Sequence, residues 1–555
     1  MAPSAAALLL AFSPLATLAA GPVTLDAGSI LQQVQPLTAP RPSSGETGLT
    51  IEQADGSKLP PSAPFLVQRI QITNNTLFDT PTLLALVADA QGKTLTLTQL
   101  GQLASRISNF YQSQGYPLAR AIIPTQTIAA GVVRIEVIEA RYGQISLDNS
   151  SRVNDGLLQA TLATLQSGQA IGQTELDHAL LLLSDIAGLE VSASLKPGEA
   201  VGTSDLLVNT TPGPTISGNG VLDSYGNSYT GRARIGGTVN INNPLHHGDV
   251  LSVSVLSAGK GLNYGQLAYE ALLNGQGTRL GGAYSTLYYT LGEPVAALNA
   301  HGSAQSSSLW AKHPLLRSRD VNLYGKIQYD GLQLRDHIDA SSIQTDRRLK
   351  NWTLSLSGDV RDTWLAGGIN TWSLGWTAGR VGFDGAAAAL ADAATAKTQG
   401  SFSKWNANFA RLQGLSSVDT LYLLFSGQRA STNLDSSQKM IVGGPYTVRA
   451  YDTGAVSGDS GYFVSAEYRR ALGQAWAGQW TAVAFIDSAR VTVNQNTWAG
   501  GENSATLSGA GVGLNWSGPD QWSAKTYIAT PLGVTPALVR RTNSTRGGVE
   551  ISRRF

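Results

Sequence analysis

From Thr215 onward, segments of about ten residues alternate apolar and polar side chains, and helical patterns almost vanish. A period of two sends successive side chains to opposite faces of a strand. In Asp249–Ser257, Leu251, Val253 and Val255 share one face while Ser252 and Ser254 share the other. In Ala505–Trp516, Ala510, Val512, Leu514 and Trp516 line up in the same way. About 16 such segments occur, an even number as in bacterial single-chain membrane barrels. No later stretch reaches the roughly 18 apolar residues that a membrane helix requires, so a membrane role has to come from a closed barrel. Short turns (Pro244–His247, Ser517–Asp520) interleave with longer loops (Gln333–Lys350, Val381–Gly400), and Asp384–Ala396 reads as a short helix in the latter. Tyr288, Tyr289, Trp364, Trp372, Trp376 and Trp480 are expected in the interfacial aromatic girdles. A soluble sandwich or propeller would need far more turn-bounded core strands.

Composition narrows the function. Charged residues make up 14% of the chain, against roughly a quarter in soluble domains. The net charge of +1 gives no electrostatic case for nucleic acid. The absence of Cys excludes disulfides and thiolate metal sites, and suits passage through an oxidising compartment. No catalytic constellation stands out: Gly509-Ala510-Gly511-Val512-Gly513 has no helix after it, and His246-His247 sits in a short turn. The expectation is a non-enzyme with no cofactor and no metal.

Upstream of the barrel, residues 1–20 read as a secretory signal cleaved near Ala19 or Ala20, although no Lys or Arg precedes the apolar run. Residues 21–35 carry a short helical pattern, with Ile30, Leu31 and Val34 as an apolar stripe. Residues 36–64 are rich in Pro, Ser and Gly and read as a flexible tether. Residues 65–140 predict strand, helix, helix, strand, strand, and residues 141–213 repeat that order. Thr80-Pro81 reads as a cap with Pro at the first helical position, the next helix is placed from Thr98, and Thr174 with Asp177 reads as a capping box. The fold class is therefore α+β units ahead of an all-β transmembrane barrel at 214–555.

Two such units before a barrel resemble the POTRA–barrel architecture of two-partner secretion transporters, the TpsB or haemolysin secretion/activation family. Four stretches carry the resemblance. Asp26-Ala27-Gly28-Ser29-Ile30-Leu31-Gln32-Gln33 looks like the start of the family's plug helix. Asp223-Ser224-Tyr225-Gly226-Asn227, then Asn243-Pro244-Leu245 and Gly248-Asp249, look like its first barrel hairpins. Val448-Arg449-Ala450-Tyr451 resembles the VRGY/F tip of its longest loop, and Phe485-Ile486-Asp487-Ser488-Ala489 the FxDxG strand motif that meets the tip. Ala450 and Ala489 stand where the family has glycine; alanine disfavours positive φ, so the tip backbone is expected to differ slightly. The resemblance implies that residues 65–140 and 141–213 are POTRA domains in the periplasm. It implies a secreted TpsA-like exoprotein as partner, outer-membrane lipid around the barrel, and the barrel assembly machinery for insertion. A BamA- or TamA-like factor that assembles other barrels is the alternative, although that group typically has more than two arm units and lacks a plug. A passive porin would need no arm.

The residues themselves support part of this. Residues 429–461 are too long for an ordinary hairpin loop and are expected to fold inward. Asp487 shares a strand face with Phe485 and Val483, while Ala484 and Ile486 fit the lipid face. A carboxylate inside a narrow barrel needs a partner, and arginine can supply a two-bonded fork. Residues alone leave open two independent solvated charges; the resemblance pairs Arg449 with Asp487.

Overall fold

The computed structural model describes residues 25–34, 42–51, 62–539 and 545–555. The signal assigned to 1–20 lies outside them, as do residues 21–24, 35–41 and 52–61. The described helices are α1 (Ala27–Val34), α2 (Thr80–Ala85), α3 (Leu97–Ser113), α4 (Asp155–Leu162), α5 (Gln173–Ser184) and α6 (Ala386–Ala394).

Sixteen strands close into a barrel in which each pairs antiparallel with its neighbours, from Ile216–Asp223 round to Arg546–Arg554. The alternation explains the two faces. Val253, Val255 and Val512 are 43%, 58% and 62% exposed on the outer wall, where lipid would cover them. On the inner face the Ser252 hydroxyl donates to Asn240 at 2.7 Å, and the Ser254 and Thr238 hydroxyls meet at 2.8 Å.

Two sequence expectations about the barrel need correction. Gln333–Lys350 is not a loop. Val321–Ile338 and Ile343–Asp362 are strands of 18 and 20 residues joined by a four-residue turn at 339–342. Both run past the roughly ten residues that span a bilayer. Beyond the lipid a strand needs no apolar face, so a polar sequence there reads falsely as loop. Tyr289 also leaves the girdle. Its neighbour Tyr288 is 56% exposed on the outer wall, so Tyr289 must point inward. It is buried there, and its hydroxyl donates to Asp336 at 2.7 Å. The Ala-rich stretch is α6, inside the 384–399 loop.

The first arm unit packs α2 and α3 on a sheet of Arg69–Thr73, Val132–Ile138 and Arg120–Ile122. Leu100, Leu103, Ile107 and Tyr111 form the buried stripe of α3. The caps differ from the sequence reading. Asp79, not Thr80, caps α2 by accepting from the Thr82 N–H, and Thr96 with Gln99 forms a capping box on α3, which starts at Leu97. The unit closes on Glu139. Its carboxylate accepts from the Thr76 N–H (2.7 Å), the Leu77 N–H (2.8 Å), the Tyr111 hydroxyl (2.8 Å) and the Thr76 hydroxyl. Burial alone would push this carboxyl up; the hydrogen bonds outweigh it and hold it below the usual carboxylate range. A depressed folded pKa stabilises the unit above the unfolded value and fades as pH falls through the folded one. Glu139→Gln should cost about 1–3 kcal/mol at neutral pH, read as faster amide exchange in α3 of the full chain. The gap from wild type should shrink under acid; an equal gap at low pH would show that charge is not the cause.

The second unit packs α4 and α5 on a sheet ordered Leu49–Ile51, Leu189–Pro197, Thr203–Pro212, Arg141–Asn149. The expected Thr174/Asp177 capping box is absent. Gly172 is the N-cap of α5 and makes no side-chain cap bond. Asp177 instead accepts from Gln173 (2.7 Å) and from Arg319 of the barrel (2.6 Å). This unit is bolted to the barrel mouth. The buried Arg317 forks onto Asp185 at 2.7 and 2.9 Å, and Arg279 donates to the Asp185 carbonyl at 2.6 Å.

The flexible reading of 36–64 also needs correction where residues are described. Leu49–Ile51 is a strand, Thr47 is buried, and the Ser43 N–H and hydroxyl donate to Asp359 at 3.0 and 2.8 Å.

Candidate functional site in the barrel lumen

Strand Asp419–Ala430 leads into a crossing segment that returns at strand Ser460–Ala475. Within it, Met440–Val442 pairs with Val456–Gly458 as a small hairpin, and Gly443 and Gly444 at φ 100° and 102° start the turn beyond it. The hairpin packs its apolar side chains onto the inner wall: Val448, Ala450 and Tyr451 cluster with Phe463, Phe485 and Leu507. The segment therefore lies folded inside the barrel.

The turn brings Arg449 to the wall strand Gly478–Thr492. Its Nε and Nη2 donate to the two oxygens of Asp487 at 2.8 and 2.7 Å, and its own N–H donates to the same carboxylate at 3.2 Å. Nη1 donates to Glu467 at 2.6 Å, and the guanidinium lies 3.4 Å above the Phe485 ring centre. The Asp487 side chain has no exposed surface. Ser465 completes the set, donating its hydroxyl to Asp487 at 2.8 Å. Glu467 is shared with Arg469, whose Nε donates at 2.9 Å. Ser465, Glu467 and Arg469 escaped the sequence reading, although their spacing of two on one strand face was a usable signal. Ala450 and Ala489 are buried, and neither adopts positive φ, so alanine causes no backbone strain at either position. The room is made opposite: a Cβ on Gly509 would sit 2.5 Å from that of Ala450.

The first-hairpin motif meets the same loop. Asp223 accepts both arms of Arg234 at 2.8 and 3.1 Å. Asn227 donates to the Thr453 carbonyl at 2.8 Å, and Thr453 donates to the Tyr225 carbonyl at 2.9 Å. Asn243 and Asp249 instead pin the 243–249 turn, where Asp249 accepts from the Leu245 and His247 N–H groups.

Helix α1 lies beside the loop within the lumen. Ile30 and Leu31 are buried, and Val34 packs half-buried against the same wall residues, among them Leu287, Leu334 and Phe402. Its Gly28 lies so close to the loop that a Cβ would come within 2.7 Å of the Ser437 nitrogen. One arginine joins three structures. Arg347 donates to Asp26 ahead of α1 (3.0 Å), to Asp336 on the wall (2.6 Å) and to Asp435 in the loop (2.9 Å). Asp336 also accepts from the Ala27 N–H at 2.7 Å, so a carboxylate sits at the positive end of the helix. Beside the helix a polar space of ≈ 500 Å³ remains, lined by Gln266, Lys326, Lys404 and Asn406 among others.

A family profile of the haemolysin secretion/activation proteins ShlB/FhaC/HecB matches residues 202–516, and a ShlB-type POTRA profile matches residues 65–140. The chain belongs to the ShlB/FhaC/HecB family. It is an outer-membrane transporter of two-partner secretion with periplasmic POTRA domains. The heme/hemopexin transporter protein HuxB of Haemophilus influenzae is 27% identical over 477 residues, 84% of each chain. The outer membrane transporter CdiB of Escherichia coli is 24% identical over 469 residues, 81% of this chain and 76% of that one. The solved structure of CdiB from Escherichia coli superposes with a TM-score of 0.70 at 20% identity, over 92% of this chain and 94% of that one. At that identity the likeness speaks for the fold alone. The same holds for BamA from Haemophilus ducreyi, at a TM-score of 0.52 and 14% identity, over 88% and 100% of the two chains. Proteins of the ShlB/FhaC/HecB family are transporters rather than enzymes.

Proposed function

We propose that this ShlB/FhaC/HecB-family transporter captures one secreted exoprotein in the periplasm through its two POTRA units and passes it unfolded through the barrel to the cell surface. The observation that carries the reading is a closed barrel whose lumen holds two pieces of its own chain, α1 and the 431–459 loop, above an arm fixed to the mouth. In this reading Val448, Arg449, Ala450 and Tyr451 form the loop tip. Phe485 and Asp487 form its wall partner, and Ile30, Leu31 and Val34 form the plug. An extended client adds to a POTRA sheet edge through backbone hydrogen bonds, which place little demand on its sequence. Folding of the client outside withdraws it from the equilibrium and drives export without a nucleotide. Insertion of the barrel itself would depend on the barrel assembly machinery. An assembly role for other outer-membrane proteins is the less favoured reading, because α1 fills space that such a role does not call for.

The test is deletion of residues 65–140 in cells that co-express the exoprotein that the wild-type chain delivers to the surface. Surface exoprotein should fall to background while the barrel still inserts and resists SDS at low temperature. Secretion at the wild-type level would remove the capture role.

A further inference from the structure

Beyond its aromatic belt the outer wall of the barrel turns basic. Strands Val321–Ile338, Ile343–Asp362, Gly368–Phe383 and Gly400–Gly414 stand side by side. On their outer face Trp352, Trp376 and Trp405 are exposed, and Tyr329 packs against Trp352 with ring centres 5.0 Å apart. Val321–Ile338 starts beside Arg317 and Arg319, which hold the arm, so its other end and the paired Ile343 end face the cell exterior. From the belt towards the arm the outer face is apolar, with Leu354, Leu356 and Leu374 exposed. In the other direction Lys350 comes one outward step after Trp352. Its register partner Arg380 comes two outward steps after Trp376.

Both side chains are exposed, and among the described residues no carboxylate pairs with either. The acids of this face stand further out and have cations of their own. Asp384 takes Arg348 at 3.0 Å, and Asp346 lies opposite Arg335 across the strand pair. Like charges directly opposite on a sheet repel, so the Lys350–Arg380 pair is unfavourable until an anion lies between them. The wall beside the pair is bare. Gly331 is the other register partner of Lys350, Gly382 is that of Arg348, and a Cβ on either glycine would meet nothing within 4 Å. The outcome is an open bay with glycines in its floor, cations on its sides and indoles along the rim nearest the lipid.

We infer that this bay binds the headgroup phosphate of a lipid in the outer leaflet, with the acyl chains of that lipid lying along Leu354 and Leu374. The site is separate from transport of the exoprotein and does not rest on it. Indoles of a belt sit at headgroup level, and one outward step along a strand keeps Lys350 within reach of that layer. The cations and the apolar wall are continuous, which suits an amphiphile; a free anion would use only the basic half. A phosphate monoester is nearly doubly charged at neutral pH and so matches two cations. Arg380 can fork onto two of its oxygens, while Lys350 acts as a point charge.

The test is native mass spectrometry of the purified full chain in detergent, titrated with bisphosphorylated lipid A. The double variant Lys350→Ala with Arg380→Ala should bind it roughly tenfold or more weakly than wild type. Lys260→Ala, which removes an exposed cation from another surface turn, should bind like wild type. Both altered side chains of the double variant are exposed, and a folded band in unheated SDS confirms that the barrel is intact. Equal affinity of wild type and the double variant would overturn the site. Lipid A stripped of its phosphates should lose the difference between the two; a difference that persists would overturn the phosphate. Two competitors fix the source. Excess inorganic phosphate or phosphatidylglycerol should leave the bound lipid A in place. Displacement by inorganic phosphate would make this a site for free anions, and displacement by phosphatidylglycerol would make it a general attraction for anionic lipid; either would overturn the inference.

Discussion

Arg449→Ala should cut delivery of the exoprotein to the surface by a large factor while leaving the barrel assembled. Asp487 has no exposed surface and, among the described residues, would keep only the Ser465 hydroxyl as a side-chain donor. Leaving a buried carboxylate without its cation costs roughly 3–5 kcal/mol. The wall strand itself is held by continuous pairing on both sides, so the loss falls on the position of the loop rather than on the barrel. Asp487→Ala should be milder, because Arg449 retains Glu467 at 2.6 Å. Arg449→Lys keeps the charge but cannot fork to two oxygens, so it should recover only part of the function. The double variant should be no worse than Arg449→Ala alone, as expected for residues acting as one contact. Secretion in cells and protease sensitivity of residues 431–459 in purified protein measure the two halves of this. Losses that add in the double variant would show two independent residues, and the pinned-loop mechanism would have to be given up.

What the sequence disclosed and what it hid follow from the range of each signal. A period of two is local, so the inward face of 483–487 and the outward face of 251–255 were legible from a few residues each. The same rule, applied more strictly, would have sent Tyr289 inward once Tyr288 was placed outside. Gln333–Lys350 failed because polarity was read as loop, when a strand beyond the lipid needs only a partner strand. Residues 49–51 were lost in a Pro/Ser/Gly-rich background; Leu-Thr-Ile is a fair strand fragment, but nothing local names Ala193–Leu195 as its mate. The Arg347 cluster has no local signature at all, since Asp26, Asp336 and Asp435 come from three distant parts of the chain. Arg317 on Asp185 was hidden for the same reason. Family likeness brought Arg449 to Asp487; Ser465 and Glu467 share one face of strand Ser460–Ala475, a local signal, but only the folded barrel sets that face beside Arg449.

Arg347→Ala should open the pore nearly as far as removal of residues 21–35. Among the described residues Arg347 is the only cation in direct contact with all three carboxylates, and its side chain is 9% exposed. Without it Asp26, Asp336 and Asp435 face one another in a buried site, where like charges repel strongly and desolvation is uncompensated. Asp336 is fixed on its wall strand, and Asp435 is held by Ser437, whose N–H and hydroxyl donate at 3.0 and 2.6 Å. Asp26 is the one that can leave, and it leaves with the helix it caps through the Ser29 N–H at 2.9 Å. The apolar stripe of Ile30, Leu31 and Val34 opposes departure, but it belongs to a helix of eight residues that is marginal by itself in water. Asp26→Asn should act in the same direction and more weakly, because Arg347 would still bridge Asp336 and Asp435 and only one charge contact with α1 would be lost. Single-channel conductance in planar bilayers reads all three variants on one scale, with the 21–35 deletion as the ceiling. Arg347→Ala conducting like wild type beneath a high ceiling would mean that the apolar contacts alone hold the helix. A deletion that conducts like wild type would mean that α1 does not obstruct the pore.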